Sequence, residues 1–415
     1  MVYMAADNDL SPFAVRNIRQ MTSAGSNENI NIIVHLDIKT AEHQKITRFY
    51  YIEKNKIIHL NVYDQSLLPM DSGDPQTLIT FCKTAVEYFP AQHYALILWN
   101  HGTGALSPEK ARIANPSLLF NFNPTTNKLE LDRSISYLDF VSQEWQNSRG
   151  ICWDDSTGNF LTNAQLASAL KVISAAIGKK IDILGFDACL MAMVEIAYLA
   201  KDSVEIMVAS QEVELGTGWN YFTFLYPALK KPFSSKEFAE RIVSAYHQSY
   251  NAITNDYTLS AVDLQFVADL EKNIDAVSSL LLQTISLEKD NSVRRAILKS
   301  RDRRYCTYFD EPSYIDIHDF YKNLLSNSKD FKFTNKERGT VLTQNLVMLL
   351  NQGIKTIEKS VIANTCGKNL KNARGISIYY PLNARIHSSY KTSNFFMQNQ
   401  WGNLIRMAPS PIINS

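Results

Sequence analysis

Two patterns of apolar and polar residues divide this chain. In the first half, short continuous apolar runs alternate with segments of helical period, whereas long amphipathic segments dominate beyond residue 222. A continuous apolar run is typical of a parallel strand that is buried on both faces. Strands that alternate with helices are typical of an α/β sheet. The pattern therefore predicts an α/β fold with a mostly parallel central sheet in the first half.

The individual elements follow from these runs. Strands are predicted near residues 2–6, 31–37, 46–53, 56–62, 94–99, 181–186 and 204–210. Helices are predicted near residues 12–24 and 74–88, from about 161 onwards, and at 190–201. Lys54 and Asn55 predict a hairpin between two neighbouring strands. Asp74 followed by Pro75 is typical of a helix cap and a first-turn proline.

The second half is predicted to be mainly helical, with amphipathic helices near residues 236–253, 266–285 and 336–362. Two late strands, near residues 257–264 and 375–381, are expected to return to the central sheet. Residues 106–149 lose all periodicity and predict a long irregular loop, which is a feature of functional or disordered segments. We therefore divide the chain into a core at residues 1–225, which contains this loop, and a C-terminal helical subdomain at residues 226–415.

Composition excludes several classes of function. The net charge of the 415 residues is +1, which gives no reason to expect a nucleic-acid partner. No segment is long and apolar enough to span a membrane. The five cysteines are scattered without a CxxC pair, so neither a zinc site nor a thioredoxin-type motif is predicted. No glycine-rich phosphate-binding motif follows a strand, which disfavours a nucleotide-binding enzyme.

Two of the predicted strands end close to a reactive side chain. Residues 94–99 lead into His101, and residues 181–186 lead through Asp187 into Cys189. Functional groups in open α/β sheets gather at the carboxyl ends of strands, so imidazole and thiol are expected at one edge. A helix starting directly after Cys189 would lower the pKa of its thiol. Gly102 could bring a backbone N–H close to a reacting carbonyl as an oxyanion donor.

These strand ends, together with several other segments, resemble the clostripain family of cysteine peptidases within the caspase–gingipain–legumain group. The segments that carry the resemblance are YMAADNDL at 3–10, HG at 101–102, DACLM at 187–191, ASQE at 209–212, GWNY at 218–221 and GISIYYP at 375–381. The resemblance implies a caspase-like αβα sandwich. It also implies that His101 and Cys189 form a catalytic dyad for endopeptidase cleavage through a thioester, with no third catalytic residue required.

The resemblance also implies a pocket for the residue before the scissile bond. Members of the family often cleave after Arg or Lys, and Asp187 falls at the position of one pocket acid. Thr217 stands where the family has a second acid, in the glycine turn before Trp219. Glu212 and Glu214 lie near in sequence and could compensate. We therefore expect the substrate-binding residues to come from Asp187, Glu212, Glu214, Thr217 and Trp219.

Family members are commonly activated by a cut between the two strands. Arg149-Gly150 ends the irregular loop and is the bond that we favour for self-cleavage, since nicking is tolerated in exposed loops. Other basic residues share the loop: Lys110, Arg112, Lys128 and Arg133. The products would be a light and a heavy chain that stay associated.

No cofactor is expected to be required, although some relatives depend on calcium. Asp154 and Asp155 begin an oxygen-rich turn that offers Ca²⁺ ligands, but such turns are more often plain turns. The N-terminus begins inside a predicted strand, which favours a secreted or cell-envelope bacterial protein whose targeting segment is absent, with a cytoplasmic protein as the alternative. A protein or peptide substrate and a monomer are expected.

Two alternative functions stay open at this stage. A catalytically silent caspase-fold protein could act as a binding module, although an intact His101 and Cys189 disfavour it. A cysteine amidase or transferase could use the same dyad. Turnover of peptides compared with small amides separates these from a peptidase.

Overall fold

The computed structural model describes residues 1–40, 42–106, 116–134, 136–138, 150–382 and 385–408. Its strands are β1 Val2–Ala6, β2 Ile33–Lys39, β3 Lys45–Glu53, β4 Lys56–His59, β5 Ala95–Trp99, β6 Phe120–Asn123, β7 Lys128–Leu131, β8 Ile151–Asp154, β9 Asn159–Leu161, β10 Ile181–Asp187, β11 Val204–Ala209, β12 Thr258–Asp263, β13 Tyr314–Asp316, β14 Val361–Cys366 and β15 Ser377–Tyr379.

Within these ranges, nine strands form one central sheet in the order β14-β12-β11-β10-β5-β1-β2-β3-β4. The five strands from β11 to β2 are mutually parallel, and the outer strands on both sides pair antiparallel. The residues of β1 and β10 are all buried, as continuous apolar runs require. The predicted mostly parallel sheet is confirmed.

Helices cover both faces of this sheet. They are α1 Ser11–Ala24, α2 Pro75–Tyr88, α3 Asn163–Ile177, α4 Val194–Ala200, α5 Tyr221–Ala228, α6 Ser235–Tyr250, α7 Val267–Ser286, α8 Ser292–Arg301, α9 Ile317–Asn327, α10 Lys336–Ser360, α11 Asn394–Gln398 and α12 Trp401–Met407. One layer runs from α2 through α3 and α4 to α7, and α1, α5 and α6 form the other. In the described residues, no helix has both the length and the apolar character needed to cross a membrane.

The two late strands take different positions. β12 covers the strand predicted near residues 257–264 and joins the central sheet beside β11. The run at residues 375–381 instead forms β15, which pairs with β13 in a separate two-stranded ribbon. One edge of the central sheet is β14, which begins at Val361, within the helix that was predicted near residues 336–362. Periodicity missed β14 because residues 361–366 are only partly buried and carry no continuous apolar run.

The loop predicted at residues 106–149 is not irregular throughout. Its described part holds the hairpin of β6 and β7, with Asn127 at a φ of 53° in the turn. Asparagine tolerates this left-handed conformation better than most residues. The alternation of apolar and polar residues in FNFN and KLEL is the strand signal, which the surrounding polar composition obscured.

A buried charge cluster ties the first strands to the segment after this loop. The Lys45 ammonium is paired with Asp37 at 3.1 Å and Asp7 at 3.7 Å, and more closely with Asp154. The three carboxylates are essentially inaccessible to solvent. Because buried charges need a partner, the Lys45 ammonium compensates carboxylates from β2, from β8 and from the turn after β1, and Lys39 adds a second cation 3.5 Å from Asp7.

Candidate active site

Strand pairing aligns the two reactive side chains. β5 and β10 are neighbouring parallel strands in which Trp99 pairs with Asp187. His101 and Cys189 each follow these paired residues by two positions, so both leave the sheet at the same level. Asn100 holds this edge together, because its amide donates to the Ala5 carbonyl and accepts from the Trp153 N–H. The predicted meeting of the two strand ends is confirmed.

His101 is buried and has a partner on each ring nitrogen. Its Nε2 lies 2.8 Å from the Asp9 carboxylate, and its Nδ1 lies 3.0 Å from the Tyr137 hydroxyl. Only 1% of the imidazole side chain is exposed, whereas about a third (32%) of the Asp9 side chain is accessible. The ring orientation is therefore fixed from both sides.

Cys189 lies in a turn and not at a helix N-terminus. α4 begins only at Val194, and Leu190 adopts a φ of 62°. The expected helix-dipole lowering of the thiol pKa is therefore wrong. Burial raises the pKa of the Cys189 thiol well above its usual range, although an N–H hydrogen bond from Glu214 at 3.3 Å opposes the shift. The thiol is held in its protonated form in this arrangement.

Tyr137 lies beside both members of the dyad. Its hydroxyl lies 3.0 Å from the His101 Nδ1 atom and also contacts the Cys189 thiol, and this second contact opposes part of the rise in the thiol pKa that burial causes. Its backbone N–H donates to the Asp310 carboxylate, and its ring is fully buried. A substrate carbonyl must reach the space near the sulfur that this hydroxyl now approaches. Tyr137 belongs to the segment between the two strands, where processing is expected.

Gly102 allows the two strand-end turns to approach each other. A Cβ at this position would lie 2.5 Å from the Cys189 carbonyl oxygen, which no side chain tolerates. The glycine is therefore required by packing, whatever its part in oxyanion binding. That catalytic part stays a prediction.

A narrow cavity of about 20 Å3 opens between the two turns. Its lining includes His101, Cys189, Asp187 and Glu214. The Asp187 carboxylate accepts hydrogen bonds from the Trp219 N–H at 3.0 Å and from the Tyr221 hydroxyl at 2.8 Å. Burial raises its pKa to about 7. An acid thus lies next to the thiol, where the pocket was predicted.

Glu214 is the second acid of this cavity. Its side chain is buried, and the side chain of Trp219 is the hydrogen-bonding neighbour that opposes the rise in its pKa. Burial raises the pKa of Glu214 well above its usual range, and the charge of Asp187 raises it further. A buried carboxylate is costly unless a cation compensates its charge.

The remaining predicted pocket residues do not line the described cavity. Glu212 is buried in an ion pair with Arg133 at 2.7 Å and accepts backbone N–H bonds from Val213 and Asp310. The Thr217 hydroxyl bonds the Tyr250 hydroxyl at 2.8 Å. Trp219 is buried against Gly185, and its backbone N–H reaches Asp187.

The processing candidates divide into described and undescribed residues. Arg149, Lys110 and Arg112 lie outside the described residues. Gly150 is buried at a φ of 131°, where a Cβ would collide with the Leu161 carbonyl. Lys128 lies within β7, and Arg133 forms ion pairs with Glu212 and Asp256. The peptide bond after either residue is therefore not presented in the form that cleavage needs, an accessible bond with a free basic side chain.

The described residues around Asp154 and Asp155 do not form a cluster of calcium ligands. Asp154 is occupied by Lys45 and by the Ser72 and Thr157 N–H groups. Asp155 is exposed. Within the part of the chain that the structure describes, no group of three or more His, Cys, Asp or Glu residues could hold a metal ion.

Sequence reasoning missed Asp9 and Tyr137. Asp9 follows β1, which pairs with β5, so its position at the same sheet edge is a consequence of strand order. The polar turn after the first apolar run was an available signal. Tyr137 carries no local signal, because its approach to the dyad depends on the path of the intervening segment.

Comparison with known proteins matches the clostripain family model over residues 2–136 and 132–407. The chain belongs to the clostripain family. It is a cysteine-type endopeptidase, which confirms the predicted class of enzyme. Clostripain from Hathewaya histolytica is 26% identical over an alignment of 458 positions. The alignment covers 95% of this chain and 76% of the relative.

Solved structures show the same fold as this clostripain-family chain. An inactive zymogen C11 protease from Parabacteroides distasonis is 18% identical with a TM-score of 0.59, covering 97% of this chain and 96% of its own. A secreted C11 cysteine protease from Bacteroides thetaiotaomicron in complex with an irreversible peptide inhibitor is 19% identical with a TM-score of 0.59, covering 97% of each chain. The caspase-like fold is confirmed.

Proposed function

We propose that this protein cleaves protein or peptide substrates after Arg or Lys, with Cys189 as nucleophile and His101 as acid and base. The observation that carries the proposal is the pair of buried carboxyls, Asp187 and Glu214, in the cavity that holds the thiol. A guanidinium or ammonium group entering this cavity would compensate both, and charge-assisted hydrogen bonds are strong in a desolvated site.

The thiol and the imidazole carry the bond-making and proton-transfer steps of the reaction. His101 takes the Cys189 proton, the sulfur attacks the carbonyl carbon, and the resulting tetrahedral oxyanion is stabilised by backbone N–H groups, with Gly102 as the candidate donor. His101 then gives the proton to the leaving amine as the C–N bond breaks. Water hydrolyses the thioester and regenerates the thiol.

A panel of fluorogenic peptides tests the substrate class. With Arg, Lys, Asp or Asn before the scissile bond, we expect kcat/KM for Arg and Lys to exceed the others by about 100-fold or more, because uncharged or acidic groups leave the buried carboxyls unpaired. Initial rates are measured in Ca²⁺ and in chelator, which tests the proposal that no metal is required. Equal rates across the panel would contradict the specificity, and turnover of small amides alone would indicate an amidase.

We further propose self-activation by a cut in the loop before Ile151, with Arg149-Gly150 as the favoured bond. The position of Tyr137 supports this proposal. A cut at Arg149-Gly150 lies on the C-terminal side of Tyr137, so it would remove one of the two chain connections of the segment that carries this residue and let the hydroxyl move away from His101 and Cys189. The pairing of β5 with β10 would keep the light and heavy chains associated.

Intact-mass analysis tests the processing. We expect two chains from the wild type and one full-length chain from Cys189→Ala, since the nucleophile is required for the cut. An Arg149→Ala variant is expected to lose the product ending at residue 149. Identical single-chain masses for wild type and Cys189→Ala would overturn self-cleavage, and an unchanged junction in Arg149→Ala would exclude that bond.

Two further proposals concern location and oligomeric state. The Bacteroides thetaiotaomicron protein is described as secreted, and we propose the same location for this chain. A monomer, or two processed chains held together, is the proposed state.

A further inference from the structure

We infer that Asp9 is a positioning residue for His101, so that a carboxylate outside the proposed dyad holds the imidazole in its working orientation. The inference rests on the proposed roles of His101 and Cys189. It is carried by the 2.8 Å contact between the Asp9 carboxylate and the His101 Nε2 atom.

The chemistry of the two partners fixes the tautomer of the neutral ring. An ionised carboxylate only accepts hydrogen bonds, so the Nε2 atom that faces Asp9 must carry the hydrogen. The Nδ1 atom then presents its lone pair to the Tyr137 hydroxyl, which lies 3.0 Å away and also contacts the thiol. The basic nitrogen of His101 is therefore the one on the thiol side.

The turn that carries Asp9 is rigid before any substrate binds. The Asn8 side chain donates to the Ala5 and Trp153 carbonyls and accepts from the Leu10 N–H. β1, which precedes the turn, pairs with β5, which leads to His101. The carboxylate and the imidazole are thus positioned by adjacent strands of one sheet, and little ordering is left for the reaction itself.

The role of Asp9 in the reaction follows from the proton path. When Nδ1 takes the Cys189 proton as the S–C bond forms, the ring becomes an imidazolium whose Nε2–H points at Asp9. When the C–N bond breaks, the Nδ1 proton leaves with the amine and the ring returns to the neutral tautomer. The Asp9 carboxylate stabilises the imidazolium through this contact and prevents the ring from rotating.

Kinetics of three variants test the inference. We expect Asp9→Ala to lower kcat about 100-fold with KM changed less than about threefold, since a carboxylate that hydrogen-bonds the imidazole orients the ring and does not bind substrate. Asp9→Glu is expected to restore part of kcat. Glu87→Gln, an exposed acid on α2, is the matched control and should behave as wild type. Rates are expressed per active site titrated with an irreversible thiol reagent.

Nitrogen NMR of the His101 ring separates this inference from the proposed function. In the uncut Cys189→Ala protein we expect the shifts of the Nε2–H tautomer, and in Asp9→Ala/Cys189→Ala a mixture of tautomers, with His101→Gln identifying the signals. An unchanged tautomer, or a kcat within threefold of wild type in Asp9→Ala, would overturn the role of Asp9. If the wild type cleaves no peptide, the proposed function fails while the ring shifts still decide the positioning role.

Discussion

Replacing either His101 or Cys189 with alanine is expected to lower kcat/KM by about 10⁵-fold or more, and the double variant should be no worse than the single ones. In the proposed mechanism the two side chains act in one proton transfer, so the loss of either removes the whole covalent route. Any residual rate would come from substrate binding and oxyanion donors alone. The measurement is peptide cleavage at saturating and sub-saturating substrate, on chains whose processing has been checked by mass.

The matched controls are a thiol and an imidazole elsewhere in the fold. Cys366 lies on β14 and His59 ends β4, at opposite edges of the central sheet. Cys366→Ala and His59→Ala should therefore keep the wild-type rate. Multiplying losses in the double variant would show that the two groups act independently, which contradicts the proposed dyad.

The pocket acids carry the second large effect. We expect Asp187→Asn and Glu214→Gln each to lower kcat/KM for an Arg substrate by about 100-fold, because a buried cation would lose one of its two counter-charges. Cleavage of uncharged substrates should change little. In the wild type, the preference for Arg should grow as pH rises through about 7, where the pKa of Asp187 lies, since the protonated acid at lower pH cannot pair with a cation.

Glu195→Gln is the control for the pocket variants. Glu195 is another buried acid, and burial raises its pKa to about 7 as well, but its carboxylate bonds the Tyr379 N–H and the Tyr390 hydroxyl away from the cavity. It should leave the Arg preference unchanged at every pH. A pH-independent preference in the wild type would indicate that the carboxyls do not select the substrate.

The sequence was most informative where burial on both faces enforces a continuous apolar run. β5 and β10 were predictable for this reason, and the residues that follow them were predictable with them. β14 was not, because an edge strand is only partly buried and its residues resemble the preceding helix. The start of α4 at Val194 was also missed. The turn after Cys189 depends on a left-handed backbone conformation at Leu190, and leucine has no preference for that conformation from which the turn could be predicted.

The sequence also could not predict which acid lines the cavity. Glu212 and Glu214 are two positions apart and equivalent in the sequence, yet one is taken by Arg133 and the other lines the cavity. The difference arises from distant partners, such as the Thr258 hydroxyl that holds the Glu212 N–H. The family resemblance suggested that Glu212 or Glu214 could compensate for the acid missing at Thr217, and only the tertiary structure distinguishes the two.

The Lys45 cluster bears on how a nicked form would respond to its surroundings. Asp7, Asp37 and Lys45 precede the loop, and Asp154 follows it, so a cut between them places the ammonium and one of its carboxylates on different chains. Dissolved ions weaken attractions between exposed charges over about 10 Å at 0.1 M ionic strength, but they do not enter a sealed interior. We therefore expect the two processed chains to stay associated equally well at high and at low ionic strength.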